Sequence, residues 1–356
     1  SRIFVLLESG QLPMLGVDWV SRPDLIVQEY THITARLACL RRMVIVACLL
    51  AVTPVSASEE LSRIPVNIFG DGDELNGVED ERIDMASPDW NLPHRRGWNM
   101  SGGTVHCDGR NRGSAVILDT SARAHLKRGL VLATAAHVVF DLENGRPFQR
   151  CRFHYMALDR LPGYQATIDL ENSMIGPFDA HGDRRSIGFG RHDWAFLYVP
   201  QQPHGVTGSS RVRPLSWEAM DRSAGWTVEL LAYNRSAGSM NISAGCSAVE
   251  SQASDLGGGA WPGQLLDDCD SESGASGGGL IGIVGDDAFL VAIRSGAHWN
   301  SERFPEQSYP QGPPRGAPWS VRDNTNYARA LDDEVLAGLD RLVDRLLVLE
   351  SQASTF

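Results

Sequence analysis

Apolar positions in this chain come in short runs. Ala115–Leu118, Gly129–Ala133, Trp194–Val199, Thr227–Tyr233, Gly279–Val284 and Phe289–Arg294 are rich in β-branched, aliphatic or aromatic residues. Gly, Asp, Asn and Pro separate them, so each run reads as a strand bounded by turns. Many short strands at such spacing predict an all-β barrel or sandwich. The pattern changes at the end of the chain. Leu331, Val335, Leu339, Leu342, Val343 and Leu346 recur at helical spacing and predict one amphipathic helix over about residues 326–349. It is expected to pack on the second half of the β structure. Residues 299–324 hold five prolines and predict a long irregular loop.

Near the N-terminus, Arg41-Arg42-Met43 precedes the apolar run Val44–Val52 and then Val55-Ser56-Ala57. A basic segment, a short apolar segment and small residues at a cleavage point read as a signal peptide over 43–57. The apolar run is too short to span a bilayer, so no stable membrane insertion is expected. Residues 1–42 then read as an over-extended reading frame, or alternatively as a disordered or unrecognised extension. Residues 58–95, rich in Asp, Glu, Pro and Asn, read as a pro-segment or linker. Arg82-Ile83 and Arg95-Arg96 offer processing sites.

The candidate chemistry lies in three segments. Thr134-Ala135-Ala136-His137 sits in an apolar stretch. Asp193 opens Asp-Trp-Ala-Phe-Leu-Tyr-Val. Ser276 sits in Gly274-Ala275-Ser276-Gly277-Gly278. A serine hydroxyl is a poor nucleophile without a base in hydrogen-bond reach, and an imidazole is such a base. An aspartate would fix the tautomer of the imidazole and stabilise its charged form. Glycines around Ser276 allow a tight turn, so that the N–H groups of Gly274 and Ser276 converge on a developing oxyanion. Asp141 is too close in sequence to His137 to come from a separate strand. Asp169 and Asp179 lie in polar, loop-like sequence, which leaves Asp193. A Gly/Ser-rich run alone would read as a flexible loop, and a histidine in an apolar segment as a core residue. The order His, Asp, Ser is what carries the argument.

These boxes resemble those of trypsin-like, chymotrypsin-fold serine proteases over roughly residues 95–350. The resemblance implies two six-stranded antiparallel β-barrels, about residues 100–205 and 206–320, closed by a C-terminal helix. His137 and Asp193 would come from the first barrel and Ser276 from the second, with the cleft between them. It also implies an endopeptidase with a protein or peptide substrate and no cofactor or metal. Where trypsins carry an aspartate before the serine, this chain has Ala275. Its serine loop is therefore similar to that of the bacterial glutamyl-endopeptidase-like branch. Asp270, six residues before Ser276, matches the acid at the base of the trypsin S1 pocket. Arg294, with Ser295 and Gly296, resembles the strand lining that pocket. Arg294 would neutralise Asp270, accept an acidic side chain itself, or face solvent. The alternative to an enzyme is a catalytically silent binding protein on the same fold.

Composition narrows the setting. The chain has 356 residues, a net charge of −12 and no long basic cluster, which argues against nucleic-acid binding. Of six cysteines, Cys39 and Cys48 fall before the expected cleavage point. The four that remain allow three pairings. The resemblance implies Cys107–Cys151 around the histidine segment, with Cys246–Cys269 flanking the loop before the serine. Bridges suit an exported protein, periplasmic or secreted.

Overall fold

The structure is a computed structural model. It describes residues 68–70, 80, 82–85 and 97–353, except 125, 127, 156–164, 180, 182–186, 203–205, 221–224, 253–260, 306–307 and 309–312. The expected signal peptide, residues 1–42 and Arg95-Arg96 lie outside the described residues.

The strands, in chain order, are β1 (Phe69–Gly70), β2 (Arg82–Asp84), β3 (Gly102–Cys107), β4 (Arg110–Ile117), β5 (Leu130–Thr134), β6 (Phe140–Asp141), β7 (Arg146–Pro147), β8 (Cys151–Tyr155), β9 (Gln165–Ile175) and β10 (Ala195–Val199). They continue with β11 (Arg213–Pro214), β12 (Thr227–Asn234), β13 (Ser239–Cys246), β14 (Ala248–Glu250), β15 (Gln264–Asp267), β16 (Gly279–Val284), β17 (Asp287–Trp299), β18 (Ala317–Pro318) and β19 (Asn324–Ala330). All six runs singled out in the sequence fall on strands β4, β5, β10, β12, β16 and β17.

The strands β10-β5-β4-β3-β8-β9 form a closed barrel. β5 is buried along its whole length, which its uninterrupted Leu-Val-Leu-Ala-Thr sequence requires. The second half is a sheet ordered β14-β15-β19-β17-β16-β12-β13-β2, with β11 added alongside β17. Among the described residues this sheet stays open, so it is a half-barrel rather than the second closed barrel expected. The fold is otherwise the all-β one, closed by a C-terminal helix, that the sequence predicts. The cysteine pairs Cys107–Cys151 and Cys246–Cys269 lie at disulfide distance, with Cα–Cα separations of 4.1 and 5.0 Å.

Three expectations need correction. The C-terminal helix runs Asp333–Ala353, and the residues just before it, Asn324–Ala330, are a buried strand. The helix packs on the first barrel, not the second. Its Val335, Leu339, Leu342, Val343 and Leu346 share one core with barrel residues such as Trp194, Phe196 and Leu197. Size matching selects this site, because a Cβ at Gly338 would fall 2.5 Å from the Trp194 ring. Arg345 adds a hydrogen bond to the Ser173 carbonyl at 2.9 Å.

The third correction concerns residues 58–95. Their described parts are built into sheets. Phe69 and Gly70 pair with Ala317 and Pro318, and β2 pairs antiparallel with Asn241–Ser243 of β13. Among the described residues no helix is long and apolar enough to cross a membrane.

Candidate active site

His137 lies in a single 3-10 turn, Ala136–Val138, directly after β5. Asp193 lies just before β10. Because β5 and β10 pair with Ala195 opposite Thr134, the strand register brings the two residues to the same end of the barrel. Asp193 then holds His137 twice. The Nδ1 of His137 donates to Oδ2 at 2.7 Å, and the backbone N–H of His137 donates to Oδ1 at 2.9 Å. Asp193 is fully buried and the His137 side chain is 6% exposed. A carboxylate only accepts, so Nδ1 is the donor, and in the neutral imidazole the lone pair is on Nε2.

Ser276 lies in the loop between β15 and β16 and is 7% exposed. Gly274 has φ 105° and Gly277 φ 83°, values that favour glycine. A Cβ on Gly277 would also collide with Thr134 Oγ1 and the Ser114 carbonyl. Within the loop, the N–H of Ala275 donates to the Glu272 carbonyl, that of Gly277 to Arg294, and that of Gly278 to Ala275. Among the described residues no acceptor takes the N–H of Gly274 or Ser276. Ala275 is fully buried as an apolar side chain, so this position brings no charge to the loop.

Ser114 on β4 joins the serine loop to the histidine turn. Its N–H donates to the Ser276 carbonyl at 2.7 Å, and its hydroxyl donates to the Gly274 carbonyl at 2.8 Å. The Ser114 carbonyl accepts the hydroxyl of Thr134, three residues before His137, at 2.6 Å. Sequence reasoning missed Ser114, because nothing local marks a serine in a barrel strand as a partner of a loop so far along the chain.

The expected pocket residues are arranged differently. Arg294 is fully buried and makes a two-pronged ion pair with Asp267, also fully buried, at 2.9 and 2.5 Å. It therefore neither faces solvent nor pairs with Asp270. Asp267 closes β15 and Arg294 lies in β17, and both strands flank β19, so their side chains meet across it. This partnership leaves no trace in local sequence. Asp270 is buried and accepts the Phe69 N–H at 2.8 Å, while its own N–H donates to Ser243 Oγ at 2.8 Å. Ser295 is fully buried at the bulge between Arg294 and Gly296, and Gly296 pairs with Tyr327. Burial, and then the charge of Asp193, hold the Tyr327 phenol well above the usual tyrosine range, so it stays neutral. His192, the neighbour of Asp193, is partly exposed with Nδ1 3.7 Å from Glu334 Oε1.

No family model matches the chain, and no curated protein sequence matches it. Similar solved structures do exist. A glutamyl endopeptidase in complex with MPD is 12% identical, with a TM-score of 0.48 over 77% of this chain and 98% of that one. The protease Anisep from Arthrobacter nicotinovorans is 13% identical, with a TM-score of 0.46 over 68% and 95%. A thermostable serine protease, AL20, from an extremophilic microorganism is 14% identical, with a TM-score of 0.43 over 68% and 96%.

Proposed function

We propose that this protein is an exported serine endopeptidase, with Ser276 as nucleophile, His137 as general base and Asp193 as the group that orients it. The observation that carries this reading is the double hold of Asp193 on His137, which fixes the ring with Nε2 available as a base. In the first step Ser276 Oγ bonds to the carbonyl carbon of the scissile peptide while His137 Nε2 takes the hydroxyl proton. The oxyanion that forms accepts the N–H groups of Gly274 and Ser276. One such donor is typically worth about 10²–10³ in rate. Collapse breaks the C–N bond, His137 returns the proton to the leaving amine, and an acyl-enzyme remains on Ser276. Water then gives a proton to His137 and attacks the ester carbon. The acid departs and the proton returns to Ser276.

Arg294, committed to Asp267, is no receptor for an acidic P1 side chain in this reading, and Asp270 is chiefly an anchor for Phe69. Export rests on the sequence of residues 43–57 and is compatible with two cysteine pairs at disulfide distance. The test is cleavage of a mixed peptide library. Ser276→Ala and Asp193→Asn should each lose on the order of 10⁴-fold or more in kcat. Cleavage by the Ser276→Ala protein at the wild-type rate would exclude the proposal.

A further inference from the structure

With Ala275 apolar and buried, the serine loop takes no ion pair at the residue before Ser276. The charge that meets the loop arrives at Glu272. The Glu272 carbonyl accepts the Ala275 N–H at 3.0 Å, which closes the turn that presents Gly274. Its backbone N–H donates to Asn234 Oδ1 at 2.9 Å. Its carboxylate faces two guanidinium groups. Arg82 Nη1 is 3.2 Å from Oε2, and Arg315 Nη1 donates to Oε1 at 2.8 Å. Both arginines also bind Asp80. Arg82 does so through Nε and Nη2, each at 2.6 Å, and Arg315 through Nη2 at 2.7 Å. Asp80, Arg82, Glu272 and Arg315 thus form a closed ring of alternating charge.

The members of the ring are not equivalent. The Arg315 side chain is 55% exposed and that of Arg82 only 7%. An exposed pair is worth little, whereas a desolvated guanidinium holds its partner firmly. Arg82 is itself fixed, because β2 pairs with β13 at Arg82↔Ser243. The same Ser243 takes the Asp270 N–H through its hydroxyl. The N-terminal strand and the start of the serine loop are therefore built on one residue of β13.

We propose that Arg82 is a positioning residue for the oxyanion-binding turn: through Glu272 it holds residues 272–276 in the conformation where the Gly274 and Ser276 amides converge. This rests on the reading of Ser276 as the nucleophile. It also implies that the active protein retains β2. The Arg82–Ile83 bond lies inside a paired strand and is not the maturation site suggested by the sequence.

The experiment compares wild type, Arg82→Ala, Arg82→Lys, Glu272→Gln and the Arg82→Ala/Glu272→Gln double variant, using steady-state peptide cleavage and thermal unfolding. Loss of the clamp should lower kcat by roughly 10–100-fold with KM within about threefold, since the turn binds the transition state more than the substrate. Arg82→Lys should recover part of the loss. The double variant should be no worse than the poorer single one. Glu272→Gln keeps the shape of the side chain and serves as the test if Arg82→Ala does not fold. Wild-type kcat in both single variants overturns the proposal. So does a loss that lysine does not rescue and that adds in the double variant, because that pattern marks a purely structural role. Full activity in a protein whose N-terminus lies beyond residue 85 also overturns it. A wild type that cleaves no peptide would instead refute the reading of Ser276.

Discussion

Ser114 gives its backbone N–H to the carbonyl of Ser276 at 2.7 Å, and so ties a strand of the closed barrel to a loop of the second sheet. Its hydroxyl works in the same place, accepting the Tyr233 N–H and donating to the Gly274 carbonyl, each at 2.8 Å. The Gly274–Ala275 and Ser276–Gly277 peptide groups are therefore braced from the barrel that carries His137 and Asp193.

Ser114→Ala keeps the backbone bond and removes both hydroxyl bonds. Two partly buried backbone groups then lose their partner, at a cost of about 1–3 kcal/mol. Urea unfolding should register that loss, and kcat should fall while KM changes little. A variant with unaltered stability and kcat would show that the bracing through the hydroxyl is dispensable.

The Arg294–Asp267 pair predicts a sharp asymmetry. Arg294→Met leaves a buried carboxylate without its partner and should destabilise by about 3–5 kcal/mol. Asp267→Leu combined with Arg294→Met removes both charges and should recover much of that loss. A P1-varied peptide library should give the same preference for Asp270→Ser as for wild type, with a lower melting temperature, because Asp270 anchors the Phe69 N–H. Selective loss of cleavage after Arg and Lys would instead make Asp270 the base of the pocket.

His106 and His154 stack face to face on β3 and β8, with ring centroids 3.7 Å apart and 4° between planes. Burial, and then the charge of His154, bring His106 down to about 4 from 6.5. The unfolded chain therefore binds this proton at a higher pH than the folded one does. The contribution to stability is complete above pH 6.5 and is lost as pH falls towards 4. Unfolding measured at steps across that window should show falling stability, with a shallower decline in His106→Gln. An equal decline in the variant would place the acid sensitivity elsewhere.

The local features of this fold were legible in the sequence because they depend on nearby residues. Gly279–Val284 is a strand with the same ends in both readings, since its apolar run is bounded by glycine and by Gly285-Asp286. The helical face from Val335 to Leu346 was also legible, but its docking partner was not. Periodicity states that a face is apolar. It does not state that Gly338 makes room for Trp194. Of the candidate site, His137, Asp193 and Ser276 each sit in a telling local box. Asp267, Ser114 and Arg82 act across strands or from a remote segment, and their roles follow from register rather than from neighbours in sequence. Arg82 lay in a stretch whose composition reads as linker, yet three residues of it pair with β13 and carry the guanidinium to Glu272.

The central claim is that Ser276 is a nucleophile activated by His137. Reaction of the folded protein with a fluorophosphonate probe, followed by peptide mapping, tests it most directly. The account predicts one adduct, on Ser276, whose formation is abolished in Ser276→Ala and slowed on the order of 10⁴-fold in His137→Ala. An unlabelled wild type, or an adduct on another serine that persists in Ser276→Ala, would contradict it.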